Sequence, residues 1–197
     1  MLLRHIVRLY ALAVVAASLL LSSGSARADI TITGGTADQQ AAIQHIYKSM
    51  PACCHKSACI CVRILDSPAM DSYLQSCAAS QSVKLVNAGA VDGLFQNATP
   101  TISLRNSDGL SATFTHEYGH YIWMNVLTGA QRDEYAKTYK AQRDAHRLVS
   151  AYAAVSVEEG FAEAFSFYNL QKLKLAARDN SSCCFLDECL KSSSQTP

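Results

Sequence analysis

Two histidines and a glutamate in the stretch Thr115-His116-Glu117-Tyr118-Gly119-His120-Tyr121 have the types and the spacing for metal-assisted hydrolysis. On a helix, residues four apart lie one turn apart on nearly the same face. His116 and His120 can therefore offer two imidazoles to one ion. Glu117 is turned about 100° from His116, so it flanks such an ion rather than binding it. A carboxylate in that place can act as a base on a water that zinc has acidified towards a pKa of about 7.

Two histidines do not complete such a site; three protein ligands and an open position are usual. The longer pattern with a third histidine does not continue, because Trp123 and Val126 stand where it would need Gly and His. His146 is one candidate, and His45 and His55 lie upstream. The stronger candidate is Val157-Glu158-Glu159-Gly160-Phe161-Ala162-Glu163-Ala164-Phe165. Carboxylates in so apolar a run need a partner or a metal, since burying them bare is costly. Glu159 and Glu163 share one helix face. One can bind the ion while the other accepts a hydrogen bond from the far ring nitrogen of a ligand histidine. Glu158 points elsewhere, into solvent.

His116-Glu117-x-x-His120, then Tyr152-Ala153, then Glu159-x-Phe161-Ala162-Glu163-x-Phe165 together resemble a gluzincin. The resemblance is to the catalytic domain of anthrax lethal factor and the related Pro-Pro endopeptidases, and it covers 111–167. It implies one Zn2+ per chain, held by His116, His120 and Glu159, with Glu117 as general base. It also implies that Tyr152 polarises the carbonyl or protonates the leaving group, and that Glu163 supports a ligand from behind. The expected activity is peptide-bond hydrolysis on a peptide or protein substrate. The eight cysteines and the small region before the motif depart from those relatives and leave the substrate-binding parts open.

Around the motif the sequence predicts strands and one or two helices first, then a run of helices, an α+β order. The resemblance makes this a zincin-like domain: a small twisted sheet with a helix, the active-site helix, then C-terminal helices. Strands are expected over 29–33, 60–65, 83–86 and 99–104, with an extended piece over 91–95. Helices are expected over 37–49 with Thr36 as N-cap, 69–77, 110–127, 131–146 and 157–177 with Ser156 as N-cap. Tyr135 and Tyr139 are expected to face inward and Tyr118 to pack. Gly119, costly inside a helix by about 1 kcal/mol relative to Ala, implies another backbone packed close. The strand over 99–104 is the expected edge for an extended peptide, which can add to a sheet by main-chain hydrogen bonds.

The first 28 residues have a basic start (Arg4, His5, Arg8), an apolar run and Ala26-Arg27-Ala28, the plan of a secretory signal peptide. The remainder, 29–197, is expected to be a single domain, a monomer in the periplasm or secreted, with no membrane association after cleavage. Without Arg4, Arg8 and Arg27 it is slightly acidic, and no basic stripe points to nucleic acid. All eight cysteines (53, 54, 59, 61, 77, 183, 184 and 189) lie within it. In an exported chain they are expected to staple the domain by up to four disulfides, holding a Ser-rich tail over about 178–197. A second metal site at Cys53-Cys54-His55 and Cys59-x-Cys61 is the lesser reading of the same residues. The rival function is a non-catalytic, disulfide-stabilised secreted binding protein with a structural metal site, which a fourth protein ligand such as His146 would mark.

Overall fold

The computed structural model describes residues 30–55, 59–80 and 87–191, without the side chain of Lys191. The segment read as a signal peptide and the strand expected over 83–86 lie outside the described residues. Among the described residues, no helix is long and apolar enough to cross a membrane.

The chain runs β1 (Ile30–Gly34), α1 (Ala37–Ser49), β2 (Ile60–Leu65) and α2 (Ser67–Ser80) into β3 (Gly93–Gln96) and β4 (Thr101–Arg105). It continues as α3 (Leu110–Tyr121), α4 (Gly129–Asp144), α5 (Val157–Leu170), α6 (Lys172–Arg178) and α7 (Asn180–Lys191). This is the expected α+β order. The sheet has strand order β1-β2-β4-β3; β1, β2 and β4 are parallel, and β3 runs antiparallel to β4. β2 alternates buried and half-buried residues. Its Ile60, Val62 and Ile64 face the core formed with Ile43 and Tyr47 of α1 and Phe114 and Tyr118 of α3. Arg63, on the other face, lies 5.4 Å over the ring of Tyr73 from α2. One sheet face thus carries α1 and α3, the other α2.

Local chemistry explains the starts. Thr36 accepts from the Gln39 N–H while the Gln39 side chain accepts from the Thr36 N–H, the reciprocal cap that sets α1. Thr128, just past the helix expected over 110–127, opens α4 by the same pairing with Gln131. The helix expected over 110–127 changes pitch on the way. From Ile122 to Val126 it is a π-turn, closed by Leu127 N–H donating to the Ile122 carbonyl at 3.0 Å. The helix expected over 157–177 breaks at Gln171 (φ −146°, ψ 49°), giving α5 and α6. The helix expected over 69–77 begins earlier, at Ser67.

Three expectations are corrected. The strand over 99–104 is not an edge: β4 lies between β2 and β3, and every residue in it is buried. The turn after Gln96 folds β3 and β4 into an antiparallel hairpin, so among the described residues β3 is the edge on the motif side. Within the tail read as Ser-rich and held by its cysteines, the described part is α7, whose Cys183, Phe185, Leu186, Cys189 and Leu190 recur at helical spacing and enter the core. The eight cysteines are free thiols rather than staples. Their sulfurs meet other groups: Cys53 donates to the Leu190 carbonyl at 3.2 Å, and Cys77 and Cys189 accept from Gln96 and Gln131. Apolar burial of α7, not a covalent bridge, holds the C-terminal end here.

Candidate metal centre

α3 carries His116 and His120 on one face, with ring centroids 5.0 Å apart. α5 crosses it at Gly119, where a Cβ would stand 2.8 Å from Ala162 Cα and 3.3 Å from Ala162 Cβ. Gly119 is therefore the close backbone approach that its place in the helix implied. Beside the crossing, the buried hydroxyls of Thr115 and Ser166 lie 2.8 Å apart and tie the two helices. Ser156 caps α5 by accepting from the Glu159 N–H at 3.1 Å, which sets Glu159 in the first turn, where a carboxylate is favoured.

This crossing brings the predicted ligands together. His116 Nε2 is 3.1 Å and His120 Nε2 3.5 Å from Glu159 Oε2. One donor atom from each of His116, His120 and Glu159 lies within 4.8 Å of the others, the one such group among the described residues. Two imidazole nitrogens and a carboxylate oxygen converging in this way fit a divalent ion such as zinc. His116 turns Nε2 to this cluster and Nδ1 outward to Glu163 Oε1 at 2.8 Å. Glu163 thus holds the His116 ring from behind. The ambiguity between the two glutamates resolves by position: Glu159 faces both histidines, Glu163 only the back of one.

Charge reinforces this geometry. Burial opposes the imidazolium of His116, yet the hydrogen bonds to Glu159 and Glu163 push its pKa up to about 10. Burial also opposes the Glu159 carboxylate, but His116 and His120 bring its pKa down to about 2. A metal entering here must displace the His116 proton, so binding releases it. Glu163 is likewise held below its usual range, because His116 and Ser150 outweigh its burial.

Ser150 went unread in the sequence. Its hydroxyl donates to Glu163 Oε2 at 2.5 Å and accepts from the Ala153 N–H at 3.0 Å. It joins the carboxylate behind His116 to the short turn Tyr152–Ala154. A lone serine in a Ser/Ala-rich stretch carries no signal of that link. Tyr152 stands in this turn with its ring 5.7 Å from His116, 54% exposed over the site. Burial of its hydroxyl and the nearby Glu159 and Glu117 charges push its pKa up to about 12, so it keeps its proton at neutral pH.

Glu117 lies on the other side, between α3 and β3, and is 8% exposed. Burial raises its pKa, while the histidines and a hydrogen bond from the Phe95 main chain pull the other way. Gly93 makes the room: a Cβ there would stand 2.6 Å from Glu117 Oε1. Arg105 N–H donates to the Asp92 carbonyl at 2.7 Å, and β3 and β4 pair Gly93 with Leu104 and Gln96 with Thr101. Alternation along an antiparallel pair then turns the N–H and C=O of Gly93 and Phe95 away from β4, towards Glu117 and solvent.

The other histidines among the described residues do not join. His146 is exposed after α4 at φ 56°, its carbonyl accepting from Arg178. His45 is exposed on α1. His55 is buried, with Nε2 3.1 Å from the Met50 carbonyl, and forms no metal cluster with Cys53 and Cys54. Tyr118 is core, as read, its hydroxyl donating to the Cys54 carbonyl at 2.8 Å.

Gly119→Ala should lower stability by about 1–3 kcal/mol through overpacking at the crossing, despite the better helix propensity of Ala, and should weaken metal binding. Thermal unfolding and a metal titration check both. A variant as stable as wild type with unchanged affinity would mean the helices have room to part.

No protein-family model matches the chain, and no curated protein matches it.

Proposed function

We propose that this chain is an exported zinc endopeptidase of the gluzincin type. The observation that carries the reading is the convergence of His116, His120 and Glu159 within 4.8 Å, with a buried carboxylate on one side and a protonated phenol on the other. Three ligands rather than four among the described residues leave a position for chemistry, which favours a catalytic over a closed structural site.

A zinc ion bound by these three side chains supplies Lewis acidity for the scissile carbonyl and for water. Glu117, desolvated and raised in pKa, takes the proton of the attacking water and delivers it to the departing amine. Tyr152 donates a hydrogen bond to the carbonyl oxygen as negative charge builds there. Glu163, braced by Ser150, keeps His116 in one tautomer. The outward main-chain groups of Gly93 and the carbonyl of Phe95, whose N–H meets Glu117, give an extended peptide a strand to pair with, in place of the strand expected from the sequence. Every group comes from one chain, so a monomer suffices. Export rests on the signal-peptide pattern over 1–28.

Incubation with a degenerate peptide library tests the reading. Zinc-loaded protein should cleave, a chelator should stop it, and added zinc should restore it. Tyr152→Phe should slow turnover by about 100-fold, as loss of an oxyanion donor does, with metal content unchanged. Failure of the zinc-loaded wild type to cleave any peptide would overturn the proposal.

A further inference from the structure

Arg105 ends β4, is 7% exposed and is unused by the chemistry above. A buried guanidinium needs partners for its donors, and those partners lie chiefly in one place. Nη2 donates to the Ala88 carbonyl at 2.8 Å and the Val91 carbonyl at 3.1 Å, and Nε donates to Val91 at 3.2 Å. Nη2 also meets Asp71 Oδ1 of α2 at 2.7 Å, Nη1 donates to the Ser67 carbonyl at 3.2 Å, and Nε lies 3.5 Å from Asp92 Oδ1. The Arg105 N–H completes the set on the Asp92 carbonyl at 2.7 Å. One side chain thus gathers the segment 88–92 and fastens it to α2 and β4.

That segment leads straight into the edge strand. β3 is four residues long and half-buried, and among the described residues it pairs on one side only, with β4. Its far end is held by Tyr73 donating to Gln96 and by Phe95 packed edge-on against Tyr121 at 6.0 Å. Its near end, Gly93, meets Glu117 and is fixed from behind by the Arg105 cluster. A shift of that end would move the Gly93 and Phe95 main-chain groups relative to Glu117.

We propose that Arg105 is a positioning residue: it clamps the 88–92 segment so that the edge strand presents Gly93 and Phe95 to an extended peptide in register with Glu117. This rests on the peptidase reading for its substrate, but the clamp itself does not. Lysine cannot replace it, because one ammonium lacks the planar fork that reaches the Ala88, Val91 and Ser67 carbonyls and Asp71 together.

The test is Arg105→Lys in the full chain, by three readouts. Bound zinc should stay at the wild-type ratio. Amide exchange at Leu94 and Gln96, whose N–H groups pair with β4, should speed by at least about tenfold while that of α3 stays unchanged. KM for an extended peptide should rise by about tenfold or more with kcat changed much less, since strand pairing contributes binding along the peptide. Unchanged exchange together with unchanged KM overturns the clamp. Faster β3 exchange in the variant, with no cleavage by wild type, supports the clamp and overturns only the peptidase reading. Equal losses of zinc, exchange protection and kcat would make Arg105 a general fold residue and overturn the proposal. If Arg105→Lys does not fold, Asp71→Asn removes the cluster's closest carboxylate from a half-exposed position and is read the same way.

Discussion

Glu117→Gln should abolish peptide cleavage, lowering kcat by about 10²- to 10⁴-fold, the range of a positioned general base, while zinc content stays at the wild-type level. The amide has nearly the same shape, and its oxygen can still accept from the Phe95 N–H that meets Glu117. It cannot take a proton from water at neutral pH. The pairing of His116 and His120 with Glu159 does not pass through Glu117, so the metal should remain. A variant that cleaves at a rate near wild type would remove Glu117 from the mechanism even if zinc is bound.

The second large effect is expected at Glu159. Its Oε2 faces both imidazoles, so Glu159→Ala takes away one of three ligands and the carboxylate on which both histidines converge. Zinc affinity should fall by far more than the 10- to 100-fold expected for loss of an outer partner such as Glu163. The comparison of Glu159→Ala with Glu163→Ala by competitive metal titration separates the two roles. Equal losses would mean the glutamates share the ion, against the geometry in which Glu163 reaches only His116 Nδ1.

Much of this arrangement is legible in the sequence. The spacing of His116 and His120 fixed their common face, and the apolar run around Glu159 and Glu163 marked carboxylates that needed partners. Gly119 announced a helix crossing, and Thr36 and Ser156 announced two helix starts. What stayed hidden depends on tertiary pairing. The alternation in 101–104 looks the same in a central strand as in an edge strand, so only the β3–β4 hairpin shows that, among the described residues, Gly93 and Phe95 lie on the edge. Ser150 and Arg105 act through carboxylates and main-chain carbonyls distant in sequence, and neither residue type signals that by itself. The serines near the C-terminus masked the helical spacing of Cys183, Leu186 and Leu190. Counting cysteines suggested covalent staples, where the fold gives several of the sulfurs, such as Cys53, Cys77 and Cys189, other partners.

The central claim is that His116, His120 and Glu159 form a zinc site. The most direct test is elemental analysis of the purified protein, wild type beside Glu159→Ala. The account predicts about one zinc per wild-type chain and almost none in the variant. Zinc retained in full by the variant, or a carefully handled wild type without zinc, would contradict it.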